Sequence, residues 1–213
     1  MKTEDLIASL AAEPLPPAGP SLERRAAGGL AAGAFVTLAL FAVVLGPRAG
    51  LGVALSDPVT LAKTVLPLLL GVLSLGLVLR ASRPAAPSGA ASKVIWAVPA
   101  TVAALFAWSF ATTAAGQRLA DFVGHSIHVC LPSITVLSLP ILAGLLTGLR
   151  KGAPVNPVRC GALAGLASAG LATAIYSLFC TEDTPLFYGI WYSLGILIVA
   201  GLGAILGNRF LRW

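Results

Sequence analysis

The sequence predicts an all-α integral membrane protein, a bundle of six transmembrane helices with both termini in the cytoplasm. Three observations carry this reading. The chain of 213 residues is 57% hydrophobic and only 10% charged, with a mean hydropathy of +0.92, whereas a soluble domain commits about a quarter of its residues to charge. Its apolar residues come in long runs rather than amphipathic stripes. Its basic residues fall almost wholly on one side of those runs.

Taken in order, residues 1–26 read as a cytoplasmic N-terminal segment and residues 27–213 as the six-helix transmembrane domain. The opening "MKTEDLIASLAAEPLPP" places acids and prolines where a secretory signal would have a basic region and an apolar core, so no such signal is expected. Thr3 can cap a short helix with Glu4 and Asp5 in its first turn. Leu6, Ile7 and Leu10 then share one apolar face, and Pro14, Pro16 and Pro17 end the helix. About ten residues are too few for a stable isolated helix, so this face orders only against a partner. The blander alternative is a frayed tail or a helix lying on lipid.

The apolar runs fall at about 28–46, 60–79, 94–114, 131–149, 160–180 and 187–208, each near the ~20 residues a bilayer requires. Lys63 and Pro67 set the second run apart, because a shorter helix or a re-entrant segment would also accommodate them. With the N-terminus inside, six crossings leave Arg48, Lys63 and Arg118 outside and the other eleven of the fourteen Lys and Arg residues inside. The acids divide evenly between the two sides. The net charge of +6 therefore orients the chain in its membrane and is no footprint for direct nucleic-acid binding.

The loop "ASRPAAPSGAASK" reads as a cytoplasmic linker, and the short "RKGAPVNPVR" makes the fourth and fifth spans an antiparallel hairpin. Small-residue pairs recur at Gly29/Gly33, Gly144/Gly148, Gly161/Gly165 and Gly203/Gly207. They fit a dimerisation face, but their spread over four helices favours close packing within one bundle.

Topology sorts the cysteines. Cys160 and Cys180 sit at opposite ends of the fifth span, about 30 Å apart at ~1.5 Å per residue, and cannot pair. Cys130 opens the fourth span on the outer side, so the hairpin brings it to the same end as Cys180. Pro132 places Cys130 near a helix N-terminus, where the dipole favours a thiolate. His125 and His128 precede it, while Glu182 and Asp183 follow Cys180. Cys130, Cys180, His125, His128, Glu182 and Asp183 could together suit a transient divalent ion such as zinc or cadmium. The histidines also read as plain interfacial polar residues.

Three readings of the thiol pair stand side by side: a static disulfide, a redox- or metal-responsive pair, and catalysis. The chain contains no CxxC, no HExxH and no glycine-rich phosphate loop. Apart from Lys63, the expected spans carry no ionisable group of the kind carriers keep in mid-membrane. The expectation is therefore of a protein that is not an enzyme and has no obligatory cofactor. A small thiol-dependent membrane enzyme or a metal-handling transporter is the alternative.

Several stretches together carry a resemblance: "KTEDLIASLAAEPLPP", the segment from "CLPSITVLSLP" through "CTEDTPLFYGIWY", and the terminal "GNRFLRW". They resemble the negative regulator of sigma F (NrsF) family, six-span anti-sigma factors of the bacterial inner membrane. The resemblance implies a protein that holds an extracytoplasmic-function sigma factor inactive at the membrane. It also implies that the family's two periplasmic cysteines, matched by Cys130 and Cys180, sense metal or oxidative stress. Cys160 lies outside that pattern. On this reading Leu6, Ile7 and Leu10 are the expected sigma contacts, and membrane lipid is the other expected partner.

Overall fold

The computed structural model of the chain describes residues 2–12, 21–84, 89 and 91–212. The helices are α1 (Thr3–Ala12), α2 (Leu22–Leu40) with a π-helical continuation (Phe41–Leu45), α3 (Leu51–Ala54), α4 (Pro58–Ala81), α5 (Ala91–Val94), α6 (Ala97–Thr112), α7 (Arg118–Val123), α8 (Ile127–Leu149), α9 (Pro157–Ser177) and α10 (Pro185–Phe210). No strand occurs among the described residues. Six stretches are long and apolar enough to cross a membrane: Leu22–Leu45, Pro58–Ala81, Ser92–Thr112, Arg118–Leu149, Pro157–Ser177 and Pro185–Phe210. The all-helical class and six long apolar helices agree with the sequence prediction.

Local chemistry explains where the long helices begin. α4, α9 and α10 each start with a capping side chain followed by proline: Asp57-Pro58, Asn156-Pro157 and Thr184-Pro185. Asp57 accepts the Thr60 N–H at 2.8 Å, and Asn156 accepts that of Arg159 at 2.9 Å. Each proline sits where its missing N–H costs nothing. α4 runs on through Pro67 as one helix rather than breaking into a shorter or re-entrant piece.

α9 forms the centre and packs against α4, α8 and α10, while α2 lies on the outer side of α8. The reason lies in its run of small residues, which lets neighbours approach on every side. Of its apolar stretch 61% is buried, against 11% for the third span, which leans on the bundle from outside. The glycine pairs mark two crossings. A Cβ on Gly29 would fall on the carbonyl of Gly144, and one on Gly148 would meet Ala26. Gly161 and Gly165 stand in the same relation to Gly203, Gly207 and Val199. All four pairs are thus used inside the bundle, between α2 and α8 and between α9 and α10.

The helices alternate in direction, so the start of α2 and the finish of α10 share one end, called here the tail end. Cys130 and Cys180 lie at the other, the cysteine end. At the tail end the backbone N–H of Ala153 donates to Ser82, tying two connections together. Thr3 is itself helical, so the cap position of α1 falls on Lys2, whose N–H is accepted by Asp5. Every described side chain of α1 is exposed, Ile7 among them at 61%. The side chains of Leu6 and Leu10, together with Pro14, Pro16, Pro17 and Trp213, lie outside the described residues.

Candidate functional site

The short turn between α8 and α9 folds them back as neighbours, which brings the first turn of α8 beside the last residues after α9. Cys130 is anchored in that first turn by its N–H to the carbonyl of Ser126, and Cys180 by its N–H to Tyr176. Both are free thiols, 0% and 2% exposed. They share one buried cluster with Ile134, Leu137, Tyr176, Phe187 and Tyr192. Cys160 is also buried, in a separate apolar cluster toward the tail end.

The segment after Cys180 is held by two cations from distant parts of the chain. Arg48 donates through Nη1 to the carbonyl of Cys180 at 3.0 Å, and it grips both carboxylate oxygens of Asp183 at 2.9 Å. Lys63, 2% exposed, donates from Nζ to the same Cys180 carbonyl at 2.7 Å, to the Glu182 carbonyl at 3.2 Å and to Asp183 at 2.6 Å. All three ammonium donors of Lys63 are thereby satisfied, which a buried cation requires. Burial works against ionisation of Asp183, but the hydrogen bonds and charges of Arg48 and Lys63 outweigh it and hold the carboxyl below its usual range. The Asp183 hydrogen bond in turn keeps Arg48 firmly charged.

Around the thiols lie two buried phenols. The hydroxyls of Tyr176 and Tyr192 are buried with no well-aligned hydrogen-bond partner among the described residues, and both lie beside the thiols of Cys130 and Cys180. An unsatisfied buried hydroxyl is uncommon and calls for a reason. Here both hydroxyls face the two thiols. A crevice of about 340 Å³, lined by Arg48, Ser126, Tyr176 and Cys180, opens over this cluster. It reaches Cys180 and does not include Cys130.

The other expected ligands are engaged elsewhere. Asp183 belongs to the Arg48 and Lys63 clamp. Glu182 accepts the backbone N–H of His125 at 2.7 Å, and the ring of His125 is almost wholly exposed. His128 is exposed as well. Among the described residues no group of three or more His, Cys, Asp or Glu side chains gathers as a metal site. Gly124, at φ +58°, makes the turn into α8, and a Cβ there would run into Phe187. Nearby, Trp191 donates to the carbonyl of Phe122 at 2.8 Å, docking α7 against the start of α10.

Sequence reasoning placed Arg48 and Lys63 on the cysteine side without giving them a task, and it passed over Tyr176 and Tyr192. A signal for the cations was present. A lysine within an apolar span needs a partner, and Asp183 is one of few acids at that end. The tyrosines carry no comparable signal, since an aromatic in an apolar run reads as ordinary core.

The fold and site together define a protein that is helical throughout its described residues, with six helices long and apolar enough to cross a membrane, a buried pair of thiols at one end and basic side chains at the other. A family model described as "Negative regulator of sigma F" (NrsF) matches residues 10–213. The chain is 36% identical over 220 residues to the probable anti-sigma-F factor NrsF of Azospira oryzae. It is also 36% identical over 215 residues to the anti-sigma-F factor NrsF of Caulobacter vibrioides. Both alignments cover 100% of this chain and of the relative. No solved structure matches the chain. The chain belongs to the NrsF family.

Proposed function

We propose that this protein is an anti-sigma factor of the bacterial inner membrane, with its tail end in the cytoplasm, and that it binds an extracytoplasmic-function sigma factor there. The observation that carries the reading is the match to the NrsF family and to two anti-sigma-F factors along the whole chain. The exposed helix α1, with Ile7 on its surface, is the first contact, and the i, i+3/i+4 spacing of the sequence adds Leu6 and Leu10 to it. A standard stable interface buries about 800 Å² per partner. A ten-residue helix supplies only part of that, so the basic loops after α4 and α8 and the end of α10 complete the surface.

The cysteine end serves as the periplasmic sensor of metal or oxidative stress, with Cys130 and Cys180 as the responding pair. Oxidation joins the two thiols in a disulfide, with two electrons and two protons passing to the oxidant. A soft divalent ion would instead be held by the two thiolates, with further ligands supplied by Glu182, Asp183, His125 or His128 after the loops rearrange. Tyr176 and Tyr192 are placed to donate to a thiolate once one forms. The signal passes inward along α8 and α9, with Pro140 a natural point of bending in α8. Moving a two-state element from nearly all off to nearly all on takes ~5.5 kcal/mol of differential stabilisation. Disulfide formation or metal ligation supplies energies of that order.

Two measurements test this reading. Co-purification of the sigma factor with full-length protein, and its loss when residues 1–26 are removed, is the expected result for the binding part; undiminished capture would move the interface to the loops. For the sensor part, Cys130→Ser and Cys180→Ser should each abolish stress-induced transcription. Unchanged induction in both variants removes the sensing role.

A further inference from the structure

Between α4, α6, α9 and α10 runs a groove of about 450 Å³ that belongs to neither end of the molecule alone. Its walls are almost entirely apolar, with Leu66, Leu70 and Leu77 from α4, Leu163 from α9, and Ile196 and Leu197 from α10. From Lys63 to Leu77 it follows α4 for roughly 21 Å at the α-helical rise, most of a ~30 Å hydrocarbon core. Phe106 and Val102 of α6 lie beside Gly189, and Ile95, Val98, Pro99 and Val102 form the third span's side of the groove.

The tail-end mouth differs from the walls. Arg159 lines it together with Ser92 and Trp96. Trp96 is 72% exposed, and Arg159 is exposed and makes no ion pair among the described residues. An apolar trough in a bilayer is not left empty, and a cation with an indole at its mouth matches the interfacial level of an anionic headgroup.

We propose that this groove is a binding site for an anionic phospholipid, with one acyl chain along α4 and α10 and the phosphate at Arg159. The occupant is fixed by the pairing of a long apolar trough with an exposed guanidinium at one mouth that has no ion pair among the described residues. A second copy of the chain would need no charge there. The proposal rests on the membrane-spanning reading above, and the two are separable by experiment.

Native mass spectrometry of the full-length protein, titrated with phosphatidylglycerol or phosphatidylcholine of the same acyl chains, measures the site. The wild type should prefer phosphatidylglycerol by about fivefold, the factor expected of one basic residue facing an anionic lipid. Arg159→Gln should reduce that preference to within about twofold, while Lys151→Gln, at the same end but off the groove, leaves it unchanged. Val102→Trp, or Leu197→Trp at the exposed edge should the first not fold, should lose binding of both lipids. Equal binding of the two lipids by the wild type overturns the proposal, as does an unchanged preference in Arg159→Gln. A dimer that Leu197→Trp converts to monomer also overturns it, because a second copy then fills the groove. Retention of the protein in membranes after an alkaline carbonate wash tests the membrane-spanning reading by itself.

Discussion

At the cysteine end, Asp183 is gripped by a lysine with a side chain 1% exposed and an arginine with one 11% exposed, and both cations also hold the carbonyl of Cys180. At the tail end the ion pair between Glu23 and Arg83 leaves its two side chains 60% and 51% exposed. The same chemistry therefore does different work at the two ends. Buried and fully hydrogen-bonded, charge fixes one loop in one place; exposed, it forms an open basic surface with little hold on the fold. The first arrangement holds the chain after Cys180 in a single geometry. The second leaves its side chains open to solvent.

The sharpest way to break this contrast is at Asp183. Asp183→Asn leaves Lys63 buried without its counter-charge; with the Asp183 side chain itself 36% exposed, the cost should be about 1–3 kcal/mol, between that of a surface pair and that of a fully buried one. Unfolding in mild detergent reads that loss directly, and a cost below about 1 kcal/mol would put the clamp on a par with a surface pair. Acid provides a second test of the same residue. Because the folded carboxyl titrates below its ordinary value, its contribution is fully present above about pH 4 and is lost as pH falls through the lowered folded value. The acid limb of the stability profile should accordingly flatten in Asp183→Asn.

A smaller effect separates the thiols. The crevice at the cysteine end reaches Cys180, and Cys130 lies behind it at 0% exposure. A small maleimide should label Cys180 several-fold faster than Cys130 or Cys160, as mass spectrometry of timed digests would show. Equal rates at Cys130 and Cys180 would mean that the cluster opens as a whole. The smallest effect belongs to the tail end, where Glu23→Gln should change stability by only ~0–1 kcal/mol. A larger loss there would erase the distinction between the two ends.

Much of this was legible in the chain before it was folded. Each of the six apolar runs is near the ~20 residues a bilayer requires, and in lipid such a run is stable only as a complete helix. Cys130 and Cys180 could be put at one end because a short loop between two spans forces a hairpin. The glycine pairs announced close crossings, although not which helices would cross. The expected convergence of six metal ligands did not appear in the fold. Asp183 found cations, and Glu182 found the backbone of His125, because carboxylates near an apolar boundary are taken by whatever donors lie nearest.

By itself the sequence determined the helical class, the number of long apolar helices and the end at which each cysteine lies. These follow from periodicity and from the one-dimensional order of spans and loops. Only the tertiary structure decided that Gly29 meets Gly144 and that Gly161 meets Gly203. The same holds for the choice of Arg48 and Lys63 as the holders of Asp183, 135 and 120 positions away, and for the two phenols that came to rest beside the sulfurs. Each of these joins residues that no local pattern relates. They meet because α9 is small enough for three helices to close upon it, and that is a property of the packed bundle rather than of any one segment.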